Sequence, residues 1–171
     1  VADLTQSSRG LMENIRSNVV GANGTLLAVC DGMGGAAAGE VASKLAVDII
    51  YEQMQAGGPP RHRDDLARRL VRAVEVAGLR IFAEAKLDRN RRGMGTTATA
   101  AALVDDHLFL AQVGDSRGYL LRGDKLELVT RDQSLVNQLI EAGQLTEEEA
   151  ENFEHSNIIL QALGTADSVQ V

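Results

Sequence analysis

The sequence is poor in the residues that build covalent or membrane scaffolds. It has one cysteine, two prolines, no tryptophan and an aromatic content of only 3%. The lone Cys30 cannot form an internal disulfide, which excludes a disulfide-stabilised fold and is compatible with a reducing, cytoplasmic compartment. Its position in an apolar stretch predicts a buried thiol. Because no apolar run reaches membrane-spanning length and no signal peptide stands at the start, we expect no membrane insertion in this segment.

Basic residues are also in deficit, with 17 Lys and Arg against 24 Asp and Glu and a net charge of −7. This excess of negative charge argues against nucleic acid or an anionic membrane as the main partner. The apolar fraction of 44% is that of an ordinary globular protein, and 171 residues can bury a genuine core. We therefore expect one domain over residues 1–171, in a monomer.

Apolar spacing in the first half predicts one strand followed by two helices. Residues 25–30 are few and nearly all apolar, which is typical of a buried strand. Over residues 37–54 the apolar positions recur every four residues, which predicts a helix. Gly57-Gly58-Pro59-Pro60 ends that helix, and a second helix is predicted to follow with Asp64 or Asp65 as its N-cap.

The second half changes to strand periodicity and then returns to helix. Strands are predicted at residues 96–104, 107–113, 117–122 and 125–130. The turns between them are too short for a parallel crossover, so neighbouring strands must be antiparallel. The last third is predicted to form a helical pair: Leu135, Leu139 and Ile140 face inward, Gly143 ends a turn, and Thr146 with Glu149 forms a capping box. Helices in one block and hairpins in another indicate an α+β layered domain.

The segment Asp31-Gly32-Met33-Gly34-Gly35 is the strongest candidate for a site. It directly follows the predicted apolar strand, so a carboxylate lies at the strand end with three glycines in the next four positions. Carboxylate oxygens and an uncovered backbone carbonyl can bind the same hard cation. The alternative interpretation is a tight turn before a helix.

Two further segments have a related composition. Val113-Gly114-Asp115-Ser116-Arg117 again places a glycine and a carboxylate at a strand end, and its alternative is a hairpin turn. Gly93-Met94-Gly95-Thr96-Thr97 brings glycines and two hydroxyls into a strand. That segment is either a tight loop near the site or only a strand start.

Together, and in this order, the three segments resemble the motifs of the metal-dependent protein phosphatases of the PP2C type, also called the PPM family, in their bacterial form. The resemblance extends through most of the chain. Further matching stretches lie at residues 38–43, 119–122, 128–136, 143–150 and 157–164.

This resemblance implies an α-β-β-α sandwich, in which two antiparallel sheets are flanked by helices. It also implies a protein serine/threonine phosphatase that uses two Mn²⁺ or Mg²⁺ ions, with a third possible. In such a site a water bridging the metals attacks phosphoserine or phosphothreonine directly. Two hard ions lower the pKa of the shared water and bind the phosphoryl oxygens.

The resemblance assigns roles to three residues. Asp31 would bridge both metals and so be the catalytic residue, Gly32 would bind one metal through its backbone carbonyl, partly via water, and Asp115 would hold a third, weaker metal. Met33 stands where some eukaryotic members have a histidine proposed as general acid. None of the three histidines is near a matched motif, so we expect solvated surface residues at His62, His107 and His155.

Two family features are missing from the pattern. The first motif should carry a phosphate-binding arginine and an Asn-Glu-Asp-like triplet, but residues 8–15 read as a shortened version. Glu13 could be a remnant of that triplet and a metal ligand, while neither Arg9 nor Arg16 is well placed as the arginine. The C-terminal Ser-Asp-Gly and Gly-x-Asp-Asn motifs are also missing, and Asp167 is not an obvious substitute.

We therefore expect an incomplete PP2C-type domain. The chain is either part of a longer protein, which we favour because the loss interrupts an otherwise well-kept pattern, or a truncated domain, or a pseudophosphatase. Residues 132–160 are expected to form a flap that shapes substrate choice. The expected partners are phosphorylated proteins, the substrates of a cognate serine/threonine kinase. The alternative function is a catalytically incomplete regulatory or binding module on the same fold.

Overall fold

A computed structural model describes residues 1–11 and 19–171. The helices and strands alternate in blocks, as the sequence predicts for an α+β domain. In chain order they are β1 Ala2–Asp3, β2 Ser8–Arg9, β3 Thr25–Val29, β4 Gly32–Met33, α1 Ala36–Ala56, α2 Arg63–Leu87, a 3₁₀ turn Arg89–Arg91, β5 Gly95–Thr96, β6 Ala98–Val104, β7 His107–Val113, β8 Tyr119–Arg122, β9 Lys125–Leu128, α3 Leu135–Glu141 and α4 Glu147–Glu151.

The main sheet has five strands in the order β2-β1-β3-β6-β7, and every neighbouring pair is antiparallel. Two antiparallel ribbons, β4-β5 and β8-β9, complete the strand pairing of the described residues. The expected antiparallel α+β architecture with flanking helices is thus confirmed. The two central strands, β3 and β6, run directly into the segments that carry Asp31 and Thr97.

The core lies between the sheet and the two long helices. Alternate residues of β6, namely Ala98, Ala100, Ala102 and Val104, are buried, because period-2 alternation sends them all to the helix side. Their small side chains let α2 approach the sheet closely, and Leu66, Leu70 and Ile81 on that helix are at most 1% exposed. Each such residue stabilises the fold by about 1.5–3 kcal/mol relative to an exposed position.

The opposite face of the main sheet is also apolar but is much less covered. The strand register aligns Leu27 of β3 with Ala101 of β6 and Leu110 of β7 across this face. Leu108 and Leu110 are 42% and 39% exposed, and Val29 is 59% exposed. In the described residues the two long helices cover only one face of the main sheet.

The start of α2 and the final helices differ from expectation. The N-cap of α2 is His62, not Asp64 or Asp65. The Asp65 carboxylate accepts hydrogen bonds from the backbone N–H groups of Arg61 and His62 at 3.1 and 3.0 Å, so it satisfies these donors from inside the first turn. In α3 the residues expected to face inward are only half-buried, and none is buried: Leu135, Leu139 and Ile140.

Other local predictions are confirmed or refined. Gly143 has a φ of 68°, and Thr146 forms the predicted capping box with Glu149. His62 and His155 are exposed, whereas His107 is half-buried with its Nε2 atom 2.7 Å from a guanidinium nitrogen of Arg63. None of the helices formed by the described residues has the length and apolar character needed to cross a bilayer.

Candidate active site

Asp31 lies at the point where β3 leaves the main sheet and enters β4. Three hydrogen bonds hold its backbone. The Asp31 carbonyl accepts from the Thr97 N–H and from the Thr96 hydroxyl, both at 2.9 Å. The Asp31 N–H donates to the Thr97 hydroxyl oxygen at 3.1 Å. Thr96 and Thr97 are buried, while Asp31 is exposed. The backbone is therefore fixed from the protein side, and the carboxylate is left to solvent.

Two of the three glycines after Asp31, Gly32 and Gly34, are required by close backbone contacts. An added Cβ at Gly32 would lie only 2.0 Å from the carbonyl oxygen of Gly39 in α1, so helix and loop touch backbone to backbone. Gly34 has a φ of 101°, and a Cβ there would lie 2.8 Å from the carbonyl oxygen of Gly93. The loop thus packs directly against the backbone of the first turn of α1 and of Gly93, which is possible because Gly32 and Gly34 have no side chains.

The second candidate carboxylate, Asp115, lies in a loop with its own hydrogen-bond network. The Gly114 N–H donates to the side-chain carbonyl of Gln133 at 2.7 Å, and the Gln133 N–H donates back to the Gly114 carbonyl at 3.0 Å. The Ser116 carbonyl accepts from the Thr99 hydroxyl at 2.9 Å and from the Gln112 amide at 3.2 Å. Asp115 itself is half-buried.

The Thr97 hydroxyl joins the two loops. Besides accepting from the Asp31 N–H, its oxygen lies 2.8 Å from the Ser116 hydroxyl oxygen. A single buried hydroxyl therefore fixes the Asp31 loop relative to the Asp115 loop. The sequence indicated that the Thr96-Thr97 pair could lie near the site, but it gave no signal for the part played by Ser116 or Gln133.

The oxygen donors at this place suit a hard divalent cation in type but not in number. The Asp31 carboxylate and the exposed Gly32 backbone offer the oxygens that Mn²⁺ and Mg²⁺ prefer, whereas six ligands are needed around Mg²⁺. Within residues 1–11 and 19–171, no group of three or more His, Cys, Asp or Glu side chains could hold a metal ion. The described residues thus offer too few oxygen donors at this place for a complete metal site.

Other residues considered from the sequence contribute differently. Arg9 forms an ion pair with Asp48 at 2.5 Å and lies 5.0 Å from the centroid of the Tyr51 ring, so its guanidinium is already engaged. Met33 is half-buried opposite Gly95 in the β4-β5 ribbon and carries no proton to donate. Glu13 and Arg16 lie outside the described residues.

The Cys30 thiol next to Asp31 is half-buried against the core. Burial raises the pKa of the Cys30 thiol to about 12, because the thiolate would lose its hydration. The thiol form is therefore stable at neutral pH, which fits the structural part expected from the sequence.

Residues 132–160 follow the Asp115 loop and contain both short helices. Asp132 accepts three hydrogen bonds from the Arg117 guanidinium, one at 3.1 Å to Oδ1 and two at 2.9 and 2.7 Å to Oδ2, and its side chain is only 12% exposed. At the other end the Leu160 N–H donates to the Gln133 carbonyl at 2.7 Å, and Ser134 pairs with Ile159. The segment thus starts and ends at the base of the Asp115 loop.

Comparison with known proteins gives one consistent result. The family model described as Protein phosphatase 2C matches residues 15–163. The serine/threonine protein phosphatase PstP of Mycobacterium tuberculosis is 39% identical over 160 residues, which are 92% of this chain and 30% of PstP. The chain therefore spans less than a third of that relative's length.

Solved structures agree with this match. The serine/threonine phosphatase Stp1 from Staphylococcus aureus superposes with a TM-score of 0.79 at 34% identity, covering 86% of this chain and 57% of that one. The catalytic domain of PstP in complex with two manganese ions gives a TM-score of 0.69 at 36% identity, covering 92% of this chain and 64% of that one. By its sequence motifs, fold and matched relatives, the chain belongs to the protein phosphatase 2C family.

Proposed function

We propose that the protein is a metal-dependent protein serine/threonine phosphatase, which hydrolyses phosphoserine and phosphothreonine with a metal-activated water. The observation that carries the proposal is the exposed Asp31 carboxylate on a backbone fixed by Thr96 and Thr97, in a chain of this family. A buried, hydrogen-bonded support beneath an exposed carboxylate is what a metal ligand requires, because the ligand must keep its direction when the ion binds.

The residues of this chain would take three parts in the reaction. The Asp31 carboxylate would bridge two Mn²⁺ or Mg²⁺ ions, the Gly32 carbonyl would bind one of them, and Asp115 would hold a third. When bound, the ions supply a water of lowered pKa and bind the phosphoryl oxygens. The relative whose structure contains two manganese ions supports Mn²⁺ as the first ion to test.

The glycine loop and the Thr97 hydroxyl position these donors. Because Gly32 and Gly34 have no Cβ, the loop lies directly against α1 and Gly93. Thr97 links the Asp31 backbone to Ser116, the residue next to Asp115. Met33 has no proton to donate, so water or another residue must protonate the departing serine or threonine oxygen.

We also propose that a second sheet packs against the main sheet, as in the two-sheet sandwich, and that further metal ligands complete the site. Relatives extend well beyond the matched part, and the half-open apolar face with Leu108 and Leu110 suits a second sheet packed against it. Glu13, a candidate remnant of the first-motif triplet, lies outside the described residues and is not one of the proposed ligands. Four other expectations stay predictions: a flap formed by residues 132–160, phosphoprotein substrates of a cognate kinase, a monomeric state and a cytoplasmic location. The alternative of a binding module finds no support among the relatives, which are named phosphatases.

The decisive experiment measures phosphate release from a phosphothreonine peptide by the full-length protein. We expect release with Mn²⁺, loss of release with a chelator, and a strong decrease in kcat for Asp31→Asn. Asp167→Asn is the matched control, because it removes an exposed carboxylate that has no place in the proposed site. Release that does not need Mn²⁺, or that survives Asp31→Asn, contradicts the proposal.

Calorimetric titration with Mn²⁺ separates the enzyme from the binding module. A phosphatase should bind two ions with roughly micromolar affinity or better, and Asp31→Asn should abolish at least one of these sites. A protein that binds no Mn²⁺ would instead favour the binding module.

A further inference from the structure

We propose that a cationic pocket beside the Asp31 loop binds acidic side chains of the phosphoprotein substrate, so that acidic residues near the phosphorylated position favour recognition. This inference rests on the proposed function, and it adds a site and a substrate preference to it.

The pocket lies between the end of α2, the turn that follows it, and the segment after Leu163. Its volume is about 250 Å³. The apolar floor is formed by Phe82 and Ala85, and the opposite wall by Gly164 and Thr165. Lys86 and Arg92 also line it, so two cations lie around an apolar floor. A cavity of this size and character fits a carboxylate side chain with its methylene groups.

The local charge is opposite to that of the whole chain. Residues 84–92 carry four cations and two carboxylates in a chain whose net charge is −7. Both carboxylates, Glu84 and Asp88, lie 3.4 Å from the Arg91 guanidinium and are paired with it. Among the described residues no ion pair forms at the other three cations, which are Lys86, Arg89 and Arg92.

The apolar floor strengthens what these cations can do. The Lys86 ammonium lies 4.1 Å from the centroid of the Phe82 ring, which holds it over the apolar surface. A charge in such surroundings is less screened than one in open water, so a carboxylate in the pocket gains more than it would at an isolated surface lysine. Arg92 and Arg89 are exposed and can meet a ligand without breaking an existing contact.

The pocket is rigidly connected to the candidate active site. Arg92 directly precedes Gly93, whose carbonyl lies against Gly34 in the Asp31 loop. On the other wall, Leu163 exchanges two backbone hydrogen bonds with Thr96, at 3.0 and 2.8 Å, and the Thr96 hydroxyl donates to the Asp31 carbonyl. One wall thus leads into β5, and the other is hydrogen-bonded to Thr96 of β5, which contacts Asp31.

The wall after Leu163 is fixed by close packing. Gly164 has a φ of 88°, and a Cβ there would lie 2.4 Å from a methyl carbon of Ile81 on α2. The Thr165 hydroxyl donates to the Ala162 carbonyl at 2.8 Å. The nearest carboxylate along the chain, Asp167, is exposed and two residues beyond the pocket lining.

These features favour an acidic peptide over other anions. Gly93 lines the pocket and its carbonyl lies against Gly34 in the Asp31 loop, and an extended peptide advances about 3.3 Å per residue, so the acidic residue is expected near the phosphorylated position rather than at a remote site. The net charge of −7 opposes binding of a long polyanion, whereas one or two carboxylates meet only the local positive charge.

The test compares an acidic peptide with a neutral one on the full-length protein. The probes are a fluorescent unphosphorylated peptide with glutamates around a central threonine, and the same peptide with glutamines in their place, measured by anisotropy at low salt without metal. The variants are Lys86→Gln/Arg92→Gln, which removes both cations that line the pocket, and Arg92→Lys. The control is Arg72→Gln, an exposed cation on α2 about four turns before Lys86.

We expect the acidic peptide to bind more tightly than the neutral one. The double variant should weaken that binding by about two- to fivefold per cation removed, and Arg92→Lys should keep most of it. With phosphorylated forms and Mn²⁺, the double variant should lose the acidic preference in kcat/KM but hydrolyse p-nitrophenyl phosphate at the wild-type rate.

Three outcomes would overturn the inference. These are equal binding of the acidic and neutral peptides, an equal loss in Arg72→Gln, or tighter binding to vesicles containing anionic lipid than to the acidic peptide. If the wild-type protein hydrolyses neither p-nitrophenyl phosphate nor a phosphopeptide, the proposed phosphatase function fails, but the anisotropy measurement still decides whether the pocket binds acidic residues. A thermal unfolding curve for each variant confirms that it is folded.

Discussion

The Thr97 hydroxyl offers the sharpest test of how the two carboxylate loops are held together. Thr97 is 3% exposed, and its oxygen is within 3.1 Å of the Asp31 N–H and within 2.8 Å of the Ser116 hydroxyl. Thr97→Val replaces this hydroxyl by a methyl group of similar volume. The change therefore removes two hydrogen bonds without leaving a large cavity.

The expected cost follows from the polar groups left without partners. An unsatisfied buried donor or acceptor costs about 1–3 kcal/mol, so Thr97→Val should lower the free energy of unfolding by about 2 kcal/mol. Thr97→Ser keeps the hydroxyl and loses one methyl group, so it should cost about 1 kcal/mol or less. Ser116→Ala removes the other partner and should cost less than Thr97→Val, because the Asp31 N–H keeps its acceptor.

Urea denaturation of the four proteins measures these differences, and the double variant Thr97→Val/Ser116→Ala completes a cycle. Two groups that share a hydrogen bond should show a coupling energy of about 0.5–3 kcal/mol. If the Mn²⁺ affinity is measured in parallel, Thr97→Val should weaken it and Thr97→Ser should restore it. The reasoning is refuted if Thr97→Val costs no more than Thr97→Ser, or if the two sites are additive.

Three further predictions concern other parts of the structure. Gly32→Ala should destabilise the fold by about 1–3 kcal/mol or more, because the added Cβ would lie 2.0 Å from the Gly39 carbonyl oxygen. Gly58→Ala places its Cβ in open space and should cost only about 1 kcal/mol, from the positive φ at that position. Equal losses in urea denaturation would contradict this. Burial raises the folded-state pKa of Cys30 to about 12, so the thiol's contribution to the free energy of unfolding is complete below the unfolded pKa near 9 and is lost as pH rises through 12. Cys30→Ala should therefore flatten the alkaline fall in stability. An unchanged alkaline slope would show that the thiol does not contribute. Arg117→Lys loses the bidentate hydrogen bonds with Asp132 and should speed amide hydrogen exchange in residues 134–139, relative to the exposed control Arg122→Lys. Equal exchange in the two variants would show that the Arg117–Asp132 pair does not hold this segment.

Periodicity was enough to predict the long elements. The helix expected over residues 37–54 spans Ala36–Ala56, and the strand expected at 107–113 is His107–Val113, because both have a clear apolar face packed against the core. The β8 strand begins at Tyr119 rather than at 117, since the Arg117 side chain binds Asp132 and the Gly118 N–H donates to the Thr130 hydroxyl. Local pattern cannot reveal such contacts between residues 12–15 positions apart.

The candidate site was predictable in its carboxylates but not in their support. Asp31 and Asp115 stand out because a carboxylate beside glycine at a strand end is an unusual pattern, and the structure places their loops on either side of Thr97. The hydrogen bonds of Gln133 and Ser116 depend on how distant strands meet, so no spacing in the sequence indicates them. The His62 cap was missed because histidine is a weak N-cap by preference.

The division between exposed and buried groups explains how this part of the fold combines stability with reactivity. The groups proposed to bind metal and substrate, Asp31 and Arg92, are exposed. The Asp31 backbone is held by Thr96 and Thr97, and Thr96 is in turn bonded to Leu163; all three are at most 3% exposed. Charge that needs hydration is thereby kept out of the core, where an unpaired carboxylate would be costly. Substitutions of exposed members should therefore change binding far more than folding, and substitutions of buried members should change both together.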